Sequence, residues 1–136
     1  MRGAEALIKL ATYEVEVLQT RLAGIGQRRV ALEMMLCSLE AEAQAEAANA
    51  AEYAEAGLYL AGYREGWKLR KAKTTAALRA CEMEETGCRD ALTVSFEKLK
   101  KYEHVTALAR QAAVKEEARR EAAAFDELAL RRRNVS

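Results

Sequence analysis

An apolar ladder with a 3.5-residue repeat runs through the first 53 residues, in a chain of 136 residues with no proline. Alternate steps of four and three visit Ala4, Ile8, Ala11, Val15, Leu18, Leu22, Ile25, Arg29, Leu32, Leu36, Leu39, Ala43, Glu46, Ala50 and Tyr53, and only Arg29 and Glu46 among them are not apolar. Such a repeat keeps one seam of a helix facing a partner over many turns, as in a coiled coil. Proline would remove a backbone donor and clash with the preceding turn, so its absence lets both arms run long. The expected fold is all-α: two long helices in an antiparallel coiled-coil hairpin, forming a rod.

Composition narrows the classes that remain. Hydrophobic residues make up 51% of the chain, but aromatics only 6%. Much of the apolar content is alanine, which favours helix and buries little area, so a thin seam is expected rather than a globular core. Basic and acidic residues balance at 22 and 21, which gives no whole-chain case for nucleic acid or an anionic membrane. No apolar run approaches the roughly 20 residues that span a bilayer. The start, Met1 to Ala6, lacks a secretory h-region. Cys37, Cys81 and Cys88 have no metal-type spacing, and their odd number argues against a disulfide framework, so a reducing cytoplasm is the simplest setting.

Glycines and charge place the hairpin. Gly57, Gly62 and Gly66 cluster in the one plausible turn. The chain is therefore read as a single hairpin, residues 1–136, with helix one at about 4–56, a turn at 57–62 and helix two at 63–133. Between Glu33 and Ala56 there are six acids and no base. Just past the turn come Arg64, Lys68, Arg70, Lys71, Lys73 and Arg79 against Glu65 alone. Folding at residues 59–60 lays these blocks side by side, which sets orientation even though single surface pairs contribute only about 0–1 kcal/mol. That register puts Tyr53 near Trp67, Leu39 near Cys81, Leu32 near Cys88 and Leu18 near Tyr102, with Cys37 able to face Cys81. Helix two has a less regular seam: Leu78, Cys81, Cys88, Leu92, Leu99, Tyr102, Val105 and Ala109, interrupted by Glu85 and Ser95. Residues 116–136 would overhang helix one.

No catalytic constellation is visible. His104 is the sole histidine, with no neighbouring serine or cysteine to activate. Gly24-Ile25-Gly26 lacks the lysine pattern of a phosphate loop. Neither a cofactor nor a metal site is expected, and the chain reads as a non-enzyme. Tyr53, Tyr59, Tyr63 and Trp67 gather near the turn, either as a small cap of core or as an exposed docking patch. Arg131, Arg132 and Arg133 complement the negative end of their own helix, and three in a row also suit an acidic partner surface. The basic cluster at 64–79 would be neutralised by the facing acids, so nucleic acid is not an expected partner. The face holding Glu5, Thr12, Gln19 and Gly26 is polar, which suits a monomer or weak oligomer.

Three stretches resemble the FliJ family of flagellar type III export proteins, to which injectisome stalk proteins are related. They are Leu7-Ile8-Lys9-Leu10-Ala11-Thr12-Tyr13-Glu14-Val15, then Phe96-Glu97-Lys98-Leu99-Lys100-Lys101-Tyr102-Glu103, then Phe125-Asp126-Glu127-Leu128-Ala129 followed by arginines. Their order and spacing cover nearly the whole chain. The resemblance implies an antiparallel coiled coil similar to the central stalk of rotary ATPases. It implies insertion of one end into the hexameric flagellar export ATPase, promotion of that ring's assembly, and links to the cytoplasmic domain of the export gate and to export chaperones. The location implied is cytoplasmic, peripheral to the inner membrane at the flagellar base through the gate complex. Carried over by position, the ATPase contact falls on Ile8, Tyr13, Arg120, Asp126, Glu127, Leu128 and Arg131. The export-gate contact falls on Met35, Leu39, Tyr63 and Trp67. Glu42 and Glu46 stand where relatives can carry tyrosine. The competing reading is a structural coiled-coil tether with no ATPase partner.

Overall fold

A computed structural model of the chain describes residues 2–135, in two helices: α1 (Arg2–Glu52) and α2 (Ala54–Val135). They pack against each other antiparallel, so the expected all-α hairpin holds. The helices are continuous because nothing in the sequence interrupts them. Proline is absent. Among the described residues no glycine takes a positive φ, so each stays in the helical ladder. The threonines turn their hydroxyls back onto their own helix, as where Thr12 Oγ1 donates to the carbonyl of Ile8 at 2.8 Å and Thr74 Oγ1 to that of Arg70 at 2.9 Å.

The reversal falls at Tyr53, not within 57–62. The Tyr53 N–H donates to the Asn49 carbonyl at 3.0 Å and closes the last turn of α1, and α2 begins at the next residue. Gly57, Gly62 and Gly66 therefore lie inside α2. The physical reason lies in the seam: a reversal at 53 places Leu60, Tyr63 and Trp67 at half-buried seam positions, where a turn at 57–62 would leave Leu60 in a loop.

The ladder of α1 behaves as its spacing demands. Thirteen of its fifteen positions are buried or half-buried, the exposed exceptions being Glu46 and Tyr53. In α2 the ladder is more regular than apolar residues alone reveal. It runs through Thr74, Leu78, Cys81, Glu85, Cys88, Leu92, Ser95, Leu99, Tyr102, Thr106 and Ala109, all buried or half-buried. Glu85 and Ser95 are thus members of the seam, and Thr106 takes the position expected of Val105, which is 60% exposed.

The chain divides into two compact units. In Val15–Thr93, Ile25, Cys81 and Cys88 form the core, with Leu18, Leu22 and Leu32 packed against them. Cys81 Sγ donates to the Ile25 carbonyl at 3.4 Å, and Cys88 Sγ to that of Leu18 at 3.6 Å. Cys81 therefore faces Ile25 rather than Leu39 or Cys37, and Cys88 faces Leu18 rather than Leu32. Cys37 is exposed, twelve residues from Ile25, or roughly 18 Å along a helix. Near the reversal, Trp67 Nε1 donates to the Leu39 carbonyl at 2.6 Å, so Trp67 meets Leu39 and not Tyr53.

Charge follows the same antiparallel order. Glu42 pairs with Arg70 at 3.2 Å and Glu40 with Lys71 at 3.8 Å, joining the acidic block of α1 to the basic block of α2. Arg28 meets Glu84 at 3.0 Å. The charged seam residues Arg29 and Glu85 also find each other: Arg29 Nε binds Glu85 at 2.9 Å, and the same guanidinium holds Glu33 at 2.9 Å. The hydrogen bond from Arg29 holds the Glu85 carboxylate below its ordinary range, against the opposing effect of desolvation.

The second unit joins Met1–Glu14 to Val94–Ser136. Its pairs are Glu14 with Lys98 at 3.8 Å and Glu5 with Arg110 at 3.9 Å. Beyond Arg110 no described residue of α2 is buried, and only Glu116 is half-covered. The overhang thus starts near residue 111, a few residues earlier than expected.

Candidate functional site

Two surfaces carry the residues expected to bind partners. The first is the unpaired stretch of α2. With no facing helix, its apolar side chains stay in solvent: Phe125 is 77% exposed, and Leu128, Leu130 and Val135 are exposed as well. Phe125, Leu128, Ala129, Arg131, Arg132 and Val135 line one shallow apolar groove with a cationic edge. Ion pairs along the helix replace the missing packing. Glu116 meets Arg119 at 2.8 Å and Arg120 at 3.5 Å, and Glu127 meets Arg131 at 3.3 Å. The hydrogen bond from Arg119 holds the Glu116 carboxylate below its usual range. Arg132 and Arg133 occupy the last turn, where cations complement the helix dipole.

The seven residues expected at an ATPase contact divide between two places. Arg120, Asp126, Glu127, Leu128 and Arg131 share the exposed single helix. Ile8 is half-buried in the α1 ladder, and Tyr13 is exposed beside the Glu14–Lys98 pair. Position 98 lies 22 residues from Arg120, or about 33 Å along the helix, so Tyr13 does not share a surface patch with the overhang.

The second surface lies beside the reversal. Tyr63 and Trp67 rise from the first turns of α2 onto α1, and both rings are half-buried. Tyr63 donates to the Glu42 carboxylate at 3.5 Å. The Arg70 guanidinium stacks 5.9 Å from the Tyr63 ring centre, and Lys71 Nζ lies 4.9 Å from that of Trp67. Met35 Sδ lies 3.7 Å from Thr74 Oγ1, whose proton goes to the Arg70 carbonyl, and Met35 stays exposed. Met35, Leu39, Tyr63 and Trp67 are thus brought close together, tied by Thr74 and Glu42. Leu39 itself is only 6% exposed, so it supports the patch from beneath. Tyr53, Leu58 and Tyr59 are exposed, so the aromatic cluster divides into half-buried cap and open surface.

Sequence reading missed Phe125, Ala129 and Val135 as groove residues and the Glu85–Arg29 pair. Extending the 3.5-residue count through polar residues of helix two would have found the pair. Among the described residues no cluster of three or more histidines, cysteines or carboxylates is arranged to hold a metal. No described helix is long and apolar enough to cross a membrane.

The chain is 50% identical over 134 residues to the Flagellar FliJ protein of Caulobacter vibrioides strain NA1000. It has the same identity to that of strain CB 15. Each alignment spans 98% of this chain and 96% of the relative. The chain belongs to the FliJ family. No family model matches it, and no solved structure matches it significantly. The FliJ relationship thus rests on alignment over nearly the whole of both sequences. It makes the ladder, the hairpin and the exposed C-terminal stretch of α2 properties of a flagellar FliJ-type sequence.

Proposed function

We propose that this chain is a non-enzymatic component of a flagellar protein export apparatus, acting as a stalk for its hexameric ATPase. What supports the flagellar part is full-length identity of 50% to proteins named Flagellar FliJ. What supports the stalk is the overhang of α2. A single helix with exposed Phe125 and Leu128 and a cationic last turn suits insertion into a ring lumen lined by apolar and acidic groups. In this reading Arg120, Asp126, Glu127, Leu128 and Arg131 form the main ATPase contact, and Ile8 and Tyr13 act where the two helices are paired. The patch of Met35, Tyr63 and Trp67, underpinned by Leu39, meets the cytoplasmic domain of the export gate. Export chaperones are further partners, and the chain associates with the inner membrane only through the gate complex.

The test is ATP hydrolysis by the organism's flagellar export ATPase with and without this chain. Stimulation together with ring assembly is expected, both weakened by Arg131→Ala/Arg132→Ala/Arg133→Ala and by Leu128→Asp. Absence of stimulation and of co-elution overturns the stalk reading in favour of a plain coiled-coil tether.

A further inference from the structure

The outer face of α1, turned away from α2, carries no charge over most of its length. Val17, Thr20 and Ala23, with every seventh residue after each as far as Ala51, give fifteen positions. All fifteen are exposed and none is charged. A surface of ordinary composition would place about four or five charges there. Eight of the fifteen are alanine, glycine or serine, which allow a helix to approach closely. Of the seven larger ones, Val17, Val30, Met34 and Cys37 are apolar and in solvent, Met34 67% exposed, and Thr20, Gln27 and Gln44 are polar but uncharged.

We infer that this face binds a second copy of the chain, α1 against α1 and antiparallel. The pattern is its own complement. Reversal about Met34 carries the fifteen positions onto themselves, 17 to 51, 20 to 48 and 23 to 45. Along the centre line it sets larger residues against small ones: Gln27 against Ala41, Thr20 against Ala48. Glu16 and Glu52 bound the uncharged stretch at equal distances from Met34. A two-fold axis at Met34 is therefore the arrangement that buries the whole face, an isologous contact of the kind commonest among oligomers.

The rim agrees. Arg28 lies six residues before Met34 and Glu42 eight after it, so the Arg28–Glu84 pair of each copy comes alongside the Glu42–Arg70 pair of the other, base beside acid. Glu33, the nearest charge on the other rim, is already held by its own Arg29. A strip roughly 50 Å long and one helix wide buries on the order of 500–600 Å² per copy, the lower end of specific interfaces. Glu16 and Glu52 meet as like charges at the two open ends. Both features make the dimer weak, in the micromolar range. The face expected from sequence to govern association, that of Glu5, Thr12, Gln19 and Gly26, is a different one, nearer the seam.

This inference does not rest on the export reading. Sedimentation equilibrium of the purified full chain is expected to show a species of twice 15.1 kDa that dissociates on dilution. Met34→Glu and Ala41→Glu each bury two like charges per dimer and should raise the dissociation constant at least about 100-fold while leaving helicity unchanged. Met83→Glu, on the outer face of α2, should leave it unchanged. The exposed Cys37 lies on the same strip and reports independently: its labelling should slow as concentration rises, and Met34→Glu should abolish that slowing. A chain that stays monomeric up to millimolar concentration overturns the proposal and leaves the face to a helix of another protein. A dimer indifferent to Met34→Glu overturns it equally, by placing the contact elsewhere.

Discussion

Replacing Ile25 by alanine tests whether the seam of the Val15–Thr93 unit is the source of stability. Ile25 is 1% exposed and lies under the Cys81 and Cys88 contacts. The substitution removes three carbons, worth about 0.8 kcal/mol each in transfer, or roughly 2.4 kcal/mol. A residual cavity adds to that. The addition should be modest, because the flanking Leu22 and Leu32 are half-buried and free to settle into the space. The sum is about 3 kcal/mol, a large share of the roughly 5–15 kcal/mol that holds a domain folded. The assay is urea unfolding followed by helical circular dichroism at fixed protein concentration. Val105→Ala is the control, since Val105 stands outside the seam and should cost less than about 0.5 kcal/mol. A loss below 1 kcal/mol for Ile25→Ala, or equal losses for both variants, would refute the claim that a narrow two-helix seam carries the fold.

Three further outcomes follow from side-chain surroundings. Glu85 has a folded pKa below its ordinary 4.5, so its contribution to stability is full above that value and fades as pH falls through the lower folded one. The melting-temperature gap between wild type and Glu85→Gln should therefore be open at neutral pH and narrow as the pH falls below 4.5; a gap that ignores pH would contradict the Arg29 pairing. In dilute protein, one thiol, Cys37, should react at once with a disulfide reagent, and Cys81 and Cys88 only in denaturant; three fast thiols would mean the seam is open. Amide exchange should be fast in residues 111–135 and slow around Ile25 and Leu39, because helical hydrogen bonds without tertiary cover open locally. Uniform protection along α2 would show that the overhang is covered.

How much of this was readable in advance depends on the degeneracy of a heptad repeat. The ladder of α1 predicted which residues are covered, because a seam residue is buried whatever partner residue faces it. It did not predict the partner. The structure pairs Cys81 with Ile25, Cys88 with Leu18 and Trp67 with Leu39. Sequence reading placed each of these against a residue fourteen positions later in α1, a slip of two whole heptads. Such a slip keeps every apolar position in the seam, so periodicity cannot detect it. Charge can. In the slipped register Arg29 would face Leu99 and Glu85 would face Ala43, each a charge left without its partner in the seam. The native register joins them at 2.9 Å. A polar pair within an apolar seam selects register at some cost in stability. The glycine cluster misled for a related reason: glycine permits a turn without requiring one. The residues resembling the family's contact positions could be placed along the chain, but only three-dimensional pairing reveals that Leu39 is covered and that Tyr13 lies beside the Glu14–Lys98 pair, with position 98 about 33 Å along the helix from Arg120.

The connection between the helices is a single residue, Tyr53, and it has a consequence for how such a gene can change. A loop absorbs an inserted codon; this join has no slack to do so. One residue added to α1 between Ile25 and Tyr53 rotates everything on one side of it by about 100° and turns the ladder away from α2. An insertion of seven turns the apolar ladder back to α2, and matched insertions of seven in both arms also keep Arg29 against Glu85. Among relatives of this chain, length differences within the paired region should therefore come in steps of seven, while the tail beyond Arg110 drifts in length one residue at a time.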